Sequence, residues 1–257
     1  VLARTSDNHR AAGTRRSHRF DERTLERNPM ANVAITGAGR GIALELARQH
    51  LAKGDLVYAL VRNPAGSEAL NDLAAGSDGK LTVHTMDVGS DESVQAGAAA
   101  TGDGPIDLLY NVAGIVGEMA PQLDKVDWKD FDDAIEIMLK GPLRVLAAFL
   151  PRMSAGSKVM NFSSQLAAST WPYGGFYPYV ATKAGLNRMM RSVAIDLKDR
   201  GIVVGLIHPG YVQTDMGGPD AEITPEDSAN QIIALAEGWK LEDTGEFFKW
   251  NGEKHDW

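Results

Sequence analysis

The chain has 257 residues, with 26 Lys and Arg against 34 Asp and Glu, a formal net charge of −8 and no cysteine. That length suits one sizeable domain, and 44% hydrophobic with 23% charged residues is an ordinary globular composition. The composition excludes disulfide scaffolds, cysteine-ligated metals and thiol nucleophiles, and the acidic balance argues against nucleic acid and anionic membrane surfaces as partners.

Residues 1–29 carry seven arginines against four acids, net +3, which leaves −11 on the rest of the chain. Few large apolar side chains and no periodicity predict a disordered basic extension. It lacks the apolar run of a secretory signal, and its acids count against a mitochondrial transit peptide. Without lysine or interleaved aromatics it reads as added or upstream-derived sequence rather than a nucleic-acid arm, with Met30 as a natural start. No apolar run approaches a membrane span, and the absence of cysteine fits a reducing, cytoplasmic compartment.

From Asn32 onward strands and helices alternate. Residues 32–36 form a short apolar strand, followed by a glycine-rich turn and a helix over 42–53 with Ile42, Leu46 and Leu51 broadly on one side. A buried-type strand follows over 55–61, a helix over 67–75, a strand over 81–86 and a helix from about Asp91. The next strand is 106–110. Helical periodicity then runs from 128 to 150, interrupted near Gly141-Pro142. A strand at 158–162, a long helix at 176–200 and a strand at 202–207 come next. Thr224 is placed to cap a helix that has Pro225 in its first position, and a last strand covers 245–250. This alternation predicts an α/β fold: a single-domain, doubly wound Rossmann-type parallel sheet with helices on both faces, spanning 30–257.

Thr36-Gly-Ala-Gly-Arg-Gly-Ile-Ala43 joins the first strand to the first helix. Its glycines let the backbone approach a pyrophosphate, and the helix N-terminus supplies amide donors and a favourable dipole. Gly37, Gly39, Arg40, Gly41 and Ile42 are therefore candidate cofactor-binding residues. The second strand ends in Val61-Arg62-Asn63-Pro64, without the acid that usually receives a ribose 2′-hydroxyl. Arg40 and Arg62 instead suit a 2′-phosphate, because guanidinium forks match phosphate oxygens. NADP(H) is the expected cofactor and NAD(H) the alternative.

The loop, together with Tyr179-Val-Ala-Thr-Lys183 far downstream, resembles the short-chain dehydrogenase/reductase family over nearly all of 31–257. Thr36–Ala43 is similar to the family's TGxxxGxG loop, with Ala43 in place of the last glycine. Asp87 and Val88 resemble the pair that contacts adenine. Asn111-Val-Ala113-Gly114 resembles NNAG, with Val112 in place of the second asparagine. Asn161-Phe-Ser-Ser164 is similar to the strand end that carries the catalytic serine. His208-Pro209-Gly210-Tyr-Val212-Gln-Thr214 resembles the PGxxxT segment around the nicotinamide, and Gly245-Glu-Phe-Phe with Asn251-Gly252 the closing strand and turn. The stretch after Thr214 and the approach Gly174–Tyr179 look most like the small carbonyl-reductase and C-factor-like members. The resemblance implies cofactor contacts at the matching positions, and a homodimer or homotetramer built on helices such as 128–150 and 176–200.

Tyr179 and Lys183 are four apart on a predicted helix, hence on one face. A free tyrosine has a pKa of about 10, which a nearby ammonium lowers. Tyr179 would then protonate a carbonyl oxygen in reduction or deprotonate an alcohol in oxidation. The resemblance implies that Lys183 also holds the nicotinamide ribose. Ser164 would stabilise the developing alkoxide. Ser163 and Ser164 face opposite ways on a strand; the family register favours Ser164, with Ser169 as the second choice.

Where the family often has an asparagine supporting a proton-relay water, this chain has Met138, a weak acceptor and no donor. Relay by another polar group, slower proton exchange and lost catalysis are three readings; plain core packing is a fourth. Lys140, two residues along, points elsewhere. Trp171, Tyr173, Phe176 and Tyr177 crowd the segment before Tyr179, and Val116, Glu118, Tyr211 and Met216 flank other rim loops. They suit either a small apolar or aromatic carbonyl/alcohol substrate, or a subunit contact and loop packing. The six histidines show no metal-ligand spacing, and His84 and His208 read as structural. Two function classes follow: an NADP(H)-dependent carbonyl reductase or alcohol dehydrogenase, and a cofactor-binding sensor or signalling protein on the same fold.

Overall fold

The structure, a computed structural model, describes residues 30–117 and 123–257; the basic extension over 1–29 and Glu118 lie outside the described residues. Its strands are short and mostly buried along their whole length, as a sheet covered on both faces requires. β1 (Asn32–Thr36), β4 (Leu108–Asn111), β5 (Lys158–Phe162) and β6 (Val203–His208) expose almost nothing. With β2 (Leu56–Val61), β3 (Leu81–Thr85) and β7 (Phe247–Lys249) they form one parallel sheet in the order β3-β2-β1-β4-β5-β6-β7. The order reverses beside β1, and in such sheets the crevice outside the strand ends at that point receives the ligand.

Helices α1 (Gly41–Lys53) and α7 (Pro225–Gly238) cover one face. Helices α3 (Asp91–Ala100), α5 (Gly141–Phe149) and α6 (Tyr177–Leu197) cover the other. Helix α2 (Glu68–Ala75) packs on the first face through Leu70. Thr224 caps α7 by accepting the Asp227 amide at 3.1 Å. Apart from shifts at their ends, where helices fray and strands lose pairing, the elements fall where the sequence pattern puts them.

Ile42, Leu46 and Leu51 do face the same core cluster. The buried stripe of α1 is Ala43, Leu46, Ala47 and His50, while Ile42 and Leu51 are half-buried flanks. The small alanines allow the close approach, and the bulkier residues pack beside it. One expectation needs correction: the stretch over 128–150 is not broken at Gly141-Pro142. Helix α4 (Trp128–Ala134) continues through a π-helical turn (Ile135–Lys140) directly into α5. The Gly141 amide bonds to the Glu136 carbonyl, five residues back, so the widened turn absorbs a proline that has no N–H to give. Arg144 holds this turn from outside, donating to the Glu136 carbonyl at 3.1 Å and pairing with the Glu136 and Asp91 carboxylates.

Two interior contacts fix the frame. His50 bonds Asp55 at 2.8 Å and the Tyr110 hydroxyl at 3.1 Å, tying α1 to the start of β2 and to β4. Burial opposes ionisation of Asp55, but the His50 hydrogen bond and the Ala31 amide outweigh it and hold its pKa below the usual carboxylate value. On β6, the Trp239 indole lies on Gly205: a Cβ there would fall 1.2 Å from the ring atom Cζ3.

Candidate active site

A cavity of about 780 Å³ opens beside the loops that follow β1, β4, β5 and β6. Thr36 ends β1 and ties two of those loops together. Its hydroxyl donates to the Tyr110 carbonyl at 3.3 Å and accepts the Val112 and Ala113 amides at 3.0 and 3.2 Å. Gly37 takes φ +71°, and a Cβ on it would sit 3.0 Å from the Ala113 backbone, so only glycine lets the two loops meet. Arg40, the residue before α1, makes no side-chain cap, and the first turn of α1 carries no acid. The amides at that N-terminus are thus left for an anion.

Gly37, Arg40, Gly41 and Ile42 line the cavity. Gly39 does not; a Cβ on it would fall 2.7 Å from Ser67 Oγ, so it serves the packing of the loop against the entry to α2. Arg62, Asp87 and Val88 line it from the ends of β2 and β3, Ala113 and Gly114 from the end of β4, and Pro209 and Thr214 from the segment after β6. Asn111 lies beneath. Its Nδ2 donates to the Pro142 carbonyl at 3.2 Å and to Asn161 Oδ1 at 3.0 Å, bolting β4 to α5 and β5. Gly210, at φ +93°, turns the chain against Trp250 and Ile223, and buried Val212 bridges to Ile223. These two residues shape the path of the segment rather than the cavity wall.

Helix α6 presents Tyr179 and Lys183 to the cavity. Its N-cap, Phe176, has φ +56°, a left-handed conformation that costs a bulky residue about 1–2 kcal/mol. The entry to the helix is therefore held by its surroundings rather than by local preference. The Lys183 Nζ is buried and donates to the Phe162 carbonyl at 2.7 Å, 5.6 Å from the centre of the Tyr179 ring. Ser164 follows β5, hydrogen-bonds Tyr179, and accepts the Leu166 amide at 3.2 Å. Ser163 lines the cavity, with its hydroxyl buried and without a protein partner. Ser169 is engaged elsewhere, giving both its amide and its hydroxyl to the Trp257 carbonyl at 3.0 Å. Ser164 is thus the serine of the three that meets the phenol.

The electrostatics depart from the sequence expectation. Burial pushes the Tyr179 phenol above its usual pKa, and the Ser164 hydrogen bond offsets this only in part. The ammonium does not bring it down, because it faces the ring and the Phe162 carbonyl, and burial lowers Lys183 itself to about 8. The free protein therefore holds Tyr179 as an acid at neutral pH, while Lys183 sheds its proton as pH rises through about 8. A measured kcat/KM for a reaction that needs the phenol as acid and the ammonium beside it should be flat near neutrality and fall on the alkaline side of that value. A profile that rises there would assign the limiting proton to another group.

Met138 is buried and lines the cavity from the π-helical turn, its Sδ 3.6 Å from where a Gly114 Cβ would stand. It is at once core and cavity wall. Phe162, Gln213 and Asp215 also line the cavity, and no motif singled them out. The sequence signal for the last two was their place inside and just after the PGxxxT segment. At the rim, Trp171 and Tyr173 meet edge to face at 5.5 Å, and Tyr173, Tyr211 and Met216 are exposed. Val116 and Met216 reach the cavity wall. His84 bonds Thr82 at 2.8 Å, and His208 is held neutral by burial, with its pKa lowered to about 4. Among the described residues no group of acids and histidines is placed to hold a metal, and no helix is long and apolar enough to cross a membrane.

The sequence matches the family model described as short chain dehydrogenase over residues 31–223. It is 41% identical over 159 residues to the C-signal of Myxococcus xanthus, covering 60% of this chain and 94% of that protein. It is 33% identical over 240 residues to the 1-hydroxy-2-glutathionyl-2-methyl-3-butene dehydrogenase of Rhodococcus sp. (strain AD45), covering 89% of this chain and all (100%) of that one. Among solved structures, the NADPH-bound carbonyl reductase from chicken fatty liver superimposes with a TM-score of 0.82 at 29% identity, over 89% of this chain and 99% of the other. The carbonyl reductase of Pseudomonas aeruginosa PAO1 in complex with NADP gives 0.79 at 31% identity, over 89% and 100%.

Proposed function

This chain belongs to the short-chain dehydrogenase/reductase family, and on that premise we propose that it is an NADP(H)-dependent carbonyl reductase acting on a small apolar or aromatic carbonyl compound. The observation that carries this reading is that Tyr179, hydrogen-bonded by Ser164, and Lys183 line one cavity with Arg40 and Arg62. Residues 30–257 would act as one catalytic domain in the cytoplasm. Exposed Trp128, Leu143 and Ile195 on α4, α5 and α6 support self-association into a dimer or tetramer.

The site fits the cofactor. The glycine loop leads into a helix N-terminus free of acids, the volume suits a dinucleotide, and two guanidiniums answer a 2′-phosphate. Gly37, Arg40, Gly41, Ile42, Arg62, Asp87, Val88, Ala113, Gly114, Pro209 and Thr214 would hold it, together with Lys183. Bound nicotinamide supplies the hydride. Tyr179 gives its proton to the carbonyl oxygen of the substrate, and Ser164 steadies the negative charge that develops there. Lys183, fixed by the Phe162 carbonyl beside the Tyr179 ring, would hold the ribose of the nicotinamide in place for this transfer. The raised pKa of Tyr179 favours the reductive direction near neutrality, because the acid form is the one required.

The test is oxidation of NADPH and NADH against matched panels of aromatic and aliphatic aldehydes and ketones. NADPH should be preferred by roughly tenfold or more in kcat/KM, and the aromatic compounds should be favoured through KM. Equal use of the two cofactors would remove the role given to the arginines. Cofactor binding without turnover of any compound would favour the second reading, a signalling protein on this fold, which the name of the C-signal relative brings into view.

A further inference from the structure

We propose that Asp215 is a built-in competitor for the cofactor's phosphate, holding Arg40 until a phosphate takes that guanidinium from it. The inference rests on the reading of the cavity as an NADP(H) site. Arg40 Nη1 donates to Asp215 Oδ2 at 3.0 Å, joining the glycine loop to the segment after β6 across 175 positions of sequence. Both residues line the cavity. Both side chains are largely exposed, at 78% and 75%, so the pair is weak and exchangeable rather than structural. Arg62, the other guanidinium of the cavity, has no ion pair or hydrogen bond of its side chain among the described residues. The restraint therefore falls on one of the two arginines and not on both.

The two partners differ in freedom. Asp215 stands on a fastened turn: the Gly217 amide donates to Thr214 Oγ1 at 3.2 Å, and the Gly218 amide to the Thr214 carbonyl at 2.8 Å. Arg40 reaches it from the loop on a long side chain. On exchange it is Arg40 that swings, and Asp215 stays where it is as an unpaired negative charge beside the cavity. A phosphate offers more oxygens and more charge to the guanidinium fork than the single contact made by Asp215, so it wins the exchange but gives up part of its binding free energy to do so. Asp215 thereby sets how tightly, and how fast, the cofactor is taken up.

The experiment is cofactor titration by fluorescence, with stopped-flow association, on the wild type, Asp215→Asn, Arg40→Gln and the double variant. Asp215→Asn should bind NADPH roughly two- to fivefold tighter, chiefly through faster association, and the gain should shrink with added salt. It should shrink in the Arg40→Gln background to what removal of the bare Asp215 charge gives, and a gain undiminished there overturns the competition. A gain for NADPH alone assigns Arg40 to the 2′-phosphate; a gain shared by NADH assigns it to the pyrophosphate. Both outcomes support the competition. Unchanged or weaker binding of both cofactors in a normally melting Asp215→Asn protein overturns it. Failure of the wild type to bind either cofactor is a different result and removes the NADP(H) reading itself, and the inference with it.

Discussion

Tyr179→Phe is expected to lower kcat for carbonyl reduction by about two to four orders of magnitude, the usual worth of a positioned general acid, while NADPH binding and melting temperature stay close to wild type. The substitution keeps the ring that packs beside Lys183 and removes only the hydroxyl that meets Ser164. Little else should change, because that oxygen makes no contact that holds the fold together. The measurement is steady-state kinetics beside a cofactor titration. If the variant turned over as fast as the wild type, the proton would come from elsewhere, and Tyr179 would lose its role. Loss of cofactor binding along with kcat would instead mean that the phenol positions the nicotinamide, a different function for the same atom.

Gly205→Ala should damage the fold far more than one methyl group suggests. The added Cβ would overlap Trp239 at 1.2 Å from Cζ3 and 1.8 Å from Cη2, so the ring must leave its place. Overpacking of this kind costs about 1–3 kcal/mol and at times more. Here the expectation is the upper end, because Trp239 is itself buried against Phe248 with ring centres 5.1 Å apart. The damage should also reach catalysis. The Gly205 carbonyl accepts Asn161 Nδ2 at 3.1 Å, and Asn161 in turn accepts from Asn111, so a displaced β6 disturbs the strand that leads to Ser163 and Ser164. Chemical denaturation of Gly205→Ala, Trp239→Leu and the double variant checks the mechanism. The double variant should be distinctly more stable than the two single losses add up to, since the smaller side chain no longer meets the methyl group. Strict additivity would show that the two positions do not share the strain.

The strand and helix alternation and the ordered motifs were legible because they depend on local pattern: apolar runs of strand length, a glycine turn, and two functional residues one helical turn apart. What depends on packing was not. The π-helical turn over 135–140 leaves no periodic mark, and Pro142 looked like a break because its missing N–H is excused only by the widened turn before it. The direction of the Tyr179 pKa was misjudged because proximity in sequence to a lysine says nothing about where the ammonium points or how deeply both are buried. Asn111 matched a cofactor motif, yet its Nδ2 is taken by Pro142 and Asn161, both distant in sequence. The pairing of Asp215 with Arg40 was invisible for a similar reason: the two lie 175 positions apart.

The strand order carries a consequence for synthesis on the ribosome. Laid down in order of emergence, β2 adds to one edge of β1, β3 adds to β2, and β4 then takes the other edge of β1, after which β5, β6 and β7 extend that side in turn. No strand ever has to be threaded between two that are already paired. Until β4 arrives, the second edge of β1 offers unpaired backbone groups to any neighbouring nascent chain. Val33, Ala34 and Ile35, later among the most deeply buried side chains of the protein, lie on that waiting edge. The switch of sides that creates the cavity thus also leaves the first strand waiting for its second neighbour until the fourth has been made.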